Sequence, residues 1–398
     1  MRKDLRLAIC TGVIIGIQLL SATKVQGQST WLGQSNQNYI STGMPILLIA
    51  PDAISSGMGD VGAATTPDAY SAHWNNAKFA FIEGNMGVST TFTPWLRNLH
   101  VADMNLLYLG GYYRINKRST AAASITYFSL GDIDMTDMEG MKIMDLHPNE
   151  YAIDASYALM ITDNLSIGAT GRFLRSDLTN GQTINDGSGN SETHAANSLA
   201  ADIGLYYQRP VGKTEEIALG AFISNLGAKL SYSDDNNNRE FLPANLRVGV
   251  RYTNRIDDYN KVSVTADVNK LLVPTPKFRT YSLDSLQSLT DYNNIGVVAG
   301  ALQSFGDAPG GFSEELQELQ LSAGAEYWYA ETFAVRAGYF FEHANKGGRQ
   351  YATVGFGLRY NVFSFDFAYL IPTARLQTNP LSNTIRISLS MDLTPSEE

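Results

Sequence analysis

Leu165-Ser166-Ile167-Gly168-Ala169-Thr170-Gly171-Arg172-Phe173 sets apolar side chains at 165, 167, 169 and 173 against small or polar ones between them. A period of two sends the two sets to opposite sides of an extended strand, so this stretch predicts one apolar and one polar face. Val262, Val264, Ala266 and Val268 repeat the pattern against Ser263, Thr265, Asp267 and Asn269. Phe363, Phe365, Phe367 and Tyr369 do so against Ser364, Asp366 and Ala368, and Ile385, Ile387, Leu389 and Met391 against Arg386, Ser388, Ser390 and Asp392. A soluble β-sandwich alternates in the same way, so the choice falls to the connections.

Some connections are very short: Asn116-Lys117, Thr162-Asp163-Asn164, Pro210 to Lys213, Asp257-Asp258, Ala330-Glu331-Thr332 and the turn at Asn361. They take turns with long polar ones, Gly131 to Pro148, Ser176 to Ala196, Asn225 to Pro243, and from Lys270 into the 310s. Short turns on one side and long loops on the other, between strands of about ten residues, predict an outer-membrane barrel. Tyr112-Tyr113, Tyr206-Tyr207, Tyr327-Trp328-Tyr329, Phe333, Tyr360 and Phe363 lie beside the short turns, where an interfacial aromatic girdle belongs. About fifteen segments alternate, whereas bacterial single-chain barrels have an even number. Keeping the turns at Asp257-Asp258 and Glu331 on one side makes Ile295 to Leu302 surplus, and it is assigned to a long outer excursion. The predicted fold is all-β, a transmembrane antiparallel β-barrel of about 14 strands with an N-terminal plug and long extracellular loops. Its first stave lies near Asn85 to Phe92 and its last near Asn383 to Leu393, with both termini periplasmic.

The chain opens with basic Arg2, Lys3 and Arg6, an apolar run from Leu7 to Leu20, and a small, polar end from Ser21 to Gly27. That order predicts a signal peptide over residues 1–27. Cys10 falls inside it, leaving no cysteine for a disulfide in the mature chain. The formal charge of −10 becomes more negative once Arg2, Lys3, Arg6 and Lys24 leave with Asp4, which disfavours nucleic acid as a partner. Although 44% of residues are hydrophobic, the mature chain has no run of roughly 18 apolar residues for a transmembrane helix.

Residues 28–83 are expected to form a plug or hatch ahead of the barrel of residues 84–398. Met44 to Phe81 is rich in Gly and Ala and follows neither the period of a strand nor that of a helix. Within it, Gly57-Met58-Gly59-Asp60-Val61-Gly62 matches GxGxxG, with Glu83 about twenty residues on. A dinucleotide site needs a helix directly after the glycines, and Pro67 would break that helix. Gly57, Gly59 and Gly62 are therefore read as close-packing positions and Trp74 and Asn75 as anchors of a plug in the periplasmic half of the barrel. The inward positions Asp154, Arg172, Asp202, Arg247, Arg251, Asp267, Glu326, Arg336, Arg359, Asp366 and Arg386 predict a polar, mutually paired lumen around it.

The excursion over residues 270–317 holds Gln303-Ser304-Phe305-Gly306-Asp307-Ala308-Pro309-Gly310-Gly311-Phe312-Ser313-Glu314-Glu315-Leu316. Pro309-Gly310 reads as a turn, and Ser313 as the cap of a short helix with Glu314 and Glu315 in its first turn. Phe305, Asp307, Pro309, Gly310, Gly311, Phe312, Glu314 and Glu315 are the candidate partner-binding residues, with Leu316 adding apolar surface. His73, His100, His147, His194 and His343 show no metal-ligand spacing, and no nucleophile elbow is present. Asp186 to Asn190 and Asp234 to Asn238 lack a complete EF-hand spacing. No catalytic, cofactor-binding or metal site is expected.

The segment SSGMGDVGAATTPDAYSAHWNNAKFAF resembles the N-terminal region of FadL-like outer-membrane barrels, with Trp74-Asn75-Asn76-Ala77 where WNPA is usual. The segments SFGDAPGGFSEELQEL, GAEYWY, RAGYFFEH, KGGRQYATVGFGLRYNVFSFDFAYLIP and NPLSNTIRISL resemble, within that superfamily, the PorV family of the Bacteroidota type IX secretion system. The resemblance implies a protein carrier that binds the C-terminal signal domains of secreted cargo at the translocon barrel and delivers them to a surface sortase of the attachment complex. It also implies contact with membrane lipid and lipopolysaccharide. The alternative class is a FadL-like transporter of hydrophobic small molecules, which needs an apolar cavity through the barrel.

Overall fold

The computed structural model describes residues 40–95, 103–136, 140–179, 184–185, 190–191, 194–232, 239–276, 292, 294–373 and 384–393. The expected signal peptide, residues 28–39 of the expected plug, most of Asp186 to Asn190 and all of Asp234 to Asn238 lie outside them. Fourteen antiparallel strands close into one barrel. In chain order they are β1 (Met86–Pro94), β2 (Met104–Asn116), β3 (Ser119–Leu130), β4 (Asn149–Thr162), β5 (Leu165–Asp177), β6 (Ala196–Pro210) and β7 (Glu215–Gly227). There follow β8 (Asn245–Arg255), β9 (Asn260–Leu271), β10 (Gln320–Tyr329), β11 (Phe333–Phe341), β12 (Gln350–Tyr360), β13 (Phe363–Pro372) and β14 (Ile385–Asp392). Closure comes from β1 pairing with β14, Thr90 opposite Leu389. The expected strand count and antiparallel order are therefore correct, and no described helix is long and apolar enough to cross a membrane.

Alternation in sequence becomes alternation in burial. Leu199, Ile203, Leu205, Val250 and Val264 point outward and are exposed, while Asp202, Arg251, Ser263 and Thr265 point inward and are buried. Of the eleven charged residues expected to face the lumen, only Arg359 is exposed, near the short-turn rim, where its guanidinium lies 4.2 Å from the Trp328 ring. Ala330 and Glu331 both adopt positive φ, 51° and 52°, which gives the β10–β11 turn the twist that tight hairpins prefer.

Two expectations need correction. Ile295 to Leu302 lies outside the barrel as expected, but it is not an alternating segment, because Val297–Gln303 forms a helix, α3, closed by Gly300 and Ser304 amides bonding four residues back. Its apolar residues fit either period over so short a run, and the helix won. The aromatic girdle is also thinner than expected. Tyr113, Tyr329, Tyr360 and Phe363 are exposed, but Tyr112, Tyr206 and Trp328 are buried on the inner face. Adjacent strand residues must face opposite ways, so each doublet gives one ring to the rim and one to the lumen.

Candidate functional site

The lumen is occupied by the chain itself. Pro45–Leu48 forms a 3-10 turn, Ala53–Ser56 (α1) and Ser71–Trp74 (α2) are single helical turns, and Asn76–Phe81 is a second 3-10 segment leading into β1. Asp52 caps α1 by accepting from the Ser55 amide at 2.8 Å and also accepts from Trp74 Nε1 at 2.5 Å, which ties the two turns together. The wall supplies the remaining partners. The Ala53 amide donates to Ser388 Oγ and the Gly59 amide to Thr353 Oγ1, while Asp267 accepts from the Gly62 and Ala63 amides at 2.6 and 2.9 Å. These bonds satisfy backbone that no regular element could pair.

The predicted plug positions come together here. Gly59 has φ +74°, and a β-carbon on it would stand 2.6 Å from the Tyr339 amide nitrogen. One on Gly62 would collide with the Trp74 ring, and one on Gly57 would sit 3.0 Å from the Ala53 carbonyl oxygen. Asn75 Nδ2 donates to the Ala63 and Leu205 carbonyls, both at 2.9 Å, and Asn76 Nδ2 to Thr170 Oγ1 at 2.8 Å. Asn76, which stands where the superfamily pattern has proline, thus adds a side-chain bond to the wall. Sequence reasoning missed the wall's own glycines: Gly220, Gly324 and Gly338 face the segment so closely that a β-carbon would overlap Ala63, Met58 and Met58 respectively.

The segment is not confined to the short-turn half, as the sequence reading expected. Met44, Ile46 and Leu47 pack with Leu106, Phe128, Leu174 and Leu242 toward the long-loop end, whereas Phe79 and Ala80 pack with Tyr112 and Ala158 toward the short turns. Ionic clusters flank it. Arg172 bridges Asp154 and Asp202 at 2.6 and 3.0 Å, and Arg336 bridges Glu326 and Asp366 at 2.7 and 2.6 Å. Carriage of a drug-sized molecule takes a pocket of roughly 300 Å³ or more. The cavity beside Arg172 and Arg247 measures about 10 Å³, room for one water-sized occupant.

At the long-loop end, the segment between β9 and β10 is held by charge. Helix α4 (Phe312–Gln317) begins two residues earlier than expected, with Gly311 rather than Ser313 at its N-cap, because φ +71° there is open to glycine. Pro309-Gly310 makes the expected turn, closed by the Gly311 amide on the Ala308 carbonyl at 2.9 Å. Glu314, Glu315 and Glu318 project from α4 and its C-cap into two buried lysines. Lys270 of β9 reaches Glu315 at 3.0 Å and Glu318 at 2.7 Å, while Lys346, between β11 and β12, reaches Glu314 at 2.7 Å and Glu318 at 2.9 Å. Glu315 also accepts from the Ala308 amide, and Asp307 accepts from the Thr275 amide at 3.0 Å. Burial raises the Asp307 carboxyl above its usual range despite that bond, with Glu315 and Glu318 adding to the rise.

The candidate partner residues therefore divide. Glu314, Glu315 and Asp307 turn toward the loop's own interior, and Pro309, Gly310 and Gly311 form its exposed turn. Phe305, Phe312 and Leu316 present their side chains to the outside, at 53%, 77% and 52% exposure, far more than apolar groups in a packed loop need. Lys270, Lys346 and Glu318 escaped the sequence reading. The spacing of Glu314, Glu315 and Glu318 on one helical face was the available signal, but its partners lie 28 to 48 residues away in sequence.

Comparison with known proteins gives a family and a fold. Residues 32–278, more than half of the chain, match the family model of type IX secretion system protein PorV. Among solved structures, the Pseudomonas putida toluene transporter TodX superposes with a TM-score of 0.51 at 10% identity, covering 91% of this chain and 100% of that one. A Pseudomonas aeruginosa FadL homologue gives 0.44 at 11% identity over 86% of this chain and 98% of its own. The Ralstonia pickettii toluene transporter TbuX gives 0.45 at 12% over 85% and 96%. Curated proteins provide no significant match. At these identities the structural likeness speaks for a FadL-like barrel fold alone.

Proposed function

From the chain's membership of the PorV family, which makes it an outer-membrane component of the type IX secretion system, we propose that it is a protein carrier: it binds the C-terminal signal domain of cargo and passes it from the translocon barrel to the surface sortase. In this reading residues 1–27 direct export, residues 28–83 form the plug, the short turns are periplasmic, and the loop over residues 270–317 is extracellular. The carrying observation is a contrast. The lumen is filled by hydrogen-bonded backbone, whereas Phe305, Phe312 and Leu316 stand exposed on a loop already fixed by four buried ion pairs. A surface ordered before contact loses little entropy on binding, which suits a carrier that must hold and then release many cargoes. Nothing in this role calls for catalysis or a cofactor. The alternative, transport of hydrophobic small molecules, draws support from the likeness to TodX in fold only.

The test uses substitutions that leave the ion pairs intact. Phe312→Glu and Phe305→Ser in the full chain should give a barrel that inserts and shifts on unboiled gels, yet fails to capture cargo or support its attachment. Normal secretion by both variants would reject the loop as the partner surface. An epitope inserted between Pro309 and Gly310, both exposed, should be reached by antibody on whole cells, and its inaccessibility in a folded barrel would overturn the orientation. Ala308 is unsuited to that insertion, being buried with its amide on Glu315.

A further inference from the structure

The small cavity between the inner segment and the wall is lined by Leu47, Leu48 and His73 of the segment and by Arg172, Asn245 and Arg247 of the wall. Arg247 is the group that the fold leaves unfinished. It is 9% exposed, its guanidinium rests 4.3 Å from the Trp74 ring, and its Nε and Nη1 have no hydrogen-bond partner among the described residues. A buried guanidinium with unpaired donors is costly, and proteins offset that cost with a counter-charge or an acceptor. Arg172, on the same cavity, has both: Asp154 and Asp202 take its charge, and Asn225 Oδ1 accepts from its Nη1. No carboxylate stands within ion-pair distance of Arg247 among the described residues; the leading attractive charge on it is Asp267, whose Oδ2 accepts from the Gly62 and Ala63 amides and whose Oδ1 has no hydrogen-bond partner among the described residues. No carboxylate lines the cavity, although Asp154 and Asp202 stand behind Arg172 on its wall.

We infer that the cavity is a binding site for one small monovalent inorganic anion of chloride size, held by Arg247 with the Asn245 amide and the Ser224 hydroxyl beside it. Leu47 and Leu48 complete the cavity only when the Pro45–Leu48 turn is seated, so the ion binds the assembled state of segment and barrel alone. The ion therefore acts as a lock on the seated segment, and halide concentration enters the folding equilibrium by mass action. Above the dissociation constant, each tenfold rise in halide should favour the seated barrel about tenfold.

The test uses the full mature chain in detergent. Crystals grown in sodium bromide should give an anomalous peak in the cavity within hydrogen-bond reach of the Arg247 guanidinium. Replacing chloride with gluconate at constant ionic strength should lower the temperature at which the folded gel band converts to the unfolded one. Arg247→Gln should abolish both the peak and the halide response. Should that variant fail to fold, Asn245→Ala must weaken the halide response while the wild-type bromide map stands alone. Water in the cavity with no bromide peak, or a wild-type conversion temperature indifferent to halide, would overturn the assignment.

Discussion

Substituting Lys270 by Met isolates the charge that fixes the α4 loop. The lysine is buried, its side chain 7% exposed, and it holds Glu315 (9%) at 3.0 Å and Glu318 (2%) at 2.7 Å. Met keeps most of the volume and removes the charge. Lys346 still bridges Glu318, but Glu315 is left buried without a cation, keeping only the Ala308 amide. Removing one partner of a buried pair costs about 3 to 5 kcal/mol, because the surviving charge stays desolvated. The loss falls on the loop, since the barrel ladder does not run through α4. At 1.4 kcal/mol per power of ten, the loop should open roughly 10² to 4 × 10³ times more often. Hydrogen exchange on the purified barrel reads this directly: α4 amides, and those of Gly311 and Thr275, should lose about two to three and a half decades of protection while mid-strand amides of β9 stay unchanged. Lys270→Met with Glu315→Gln removes the stranded charge and should recover part of the loss. Unchanged protection in the single variant would refute the reasoning, showing that side-chain packing, not charge, holds the loop.

Gly338→Val, on the wall, should destabilise as severely as Gly59→Val, on the segment, because the two residues occupy one contact; overpacking costs about 1 to 3 kcal/mol. A lower gel-shift temperature with faster antibiotic entry is the expected readout, and a sealed, stable Gly338→Val barrel would contradict the close approach. Val250→Arg places a charge on an exposed outward position in mid-strand, at a cost of roughly 2 to 4 kcal/mol at the membrane midplane, and should reduce assembly where Val250→Leu does not. Glu331 is held below the usual carboxylate range first by Lys261 and then by Arg255. Its depressed folded value means that its contribution is complete above the ordinary value and is lost as pH falls through the folded one. Glu331→Gln should flatten the acid limb of the gel-shift temperature, by well under 1 kcal/mol for so exposed a group; an unaltered acid limb would remove it from the account.

The staves were legible because period-two patterning is local: each residue of Leu165 to Phe173 declares its face through its neighbours, and the short turns fixed the count. Girdle and loop were harder for two physical reasons. Tyr112-Tyr113 looks like a pair of interfacial rings until the pleat sends one ring to each side, so clustering in sequence overstates clustering in space. Val297–Gln303 is too short for either period to declare itself, and its state rests on a 3D setting in which Gly300 packs beside Phe241 and Pro274.

The deeper gap lies in the partners of the inner segment. Its glycines announced close packing, and the structure shows that the statement was half complete, because Gly59 needs Gly338 and Gly62 needs room beside Trp74. A residue of the inner segment and its wall partner are separated by up to 335 positions, as with the Ala53 amide and Ser388 Oγ, so no window of sequence contains both. The inward serines, threonines and aspartates of the staves read as generic lumen polarity, yet Asp267, Thr353 and Ser388 each accept from a particular backbone amide of the segment. Polar alternation in this barrel therefore carries two messages at once. It turns a face away from lipid, and it spells, residue by residue, the docking pattern of one irregular segment. A buried stave donor without an acceptor among the described residues, as at Arg247, is then the place where something other than the chain is expected to bind.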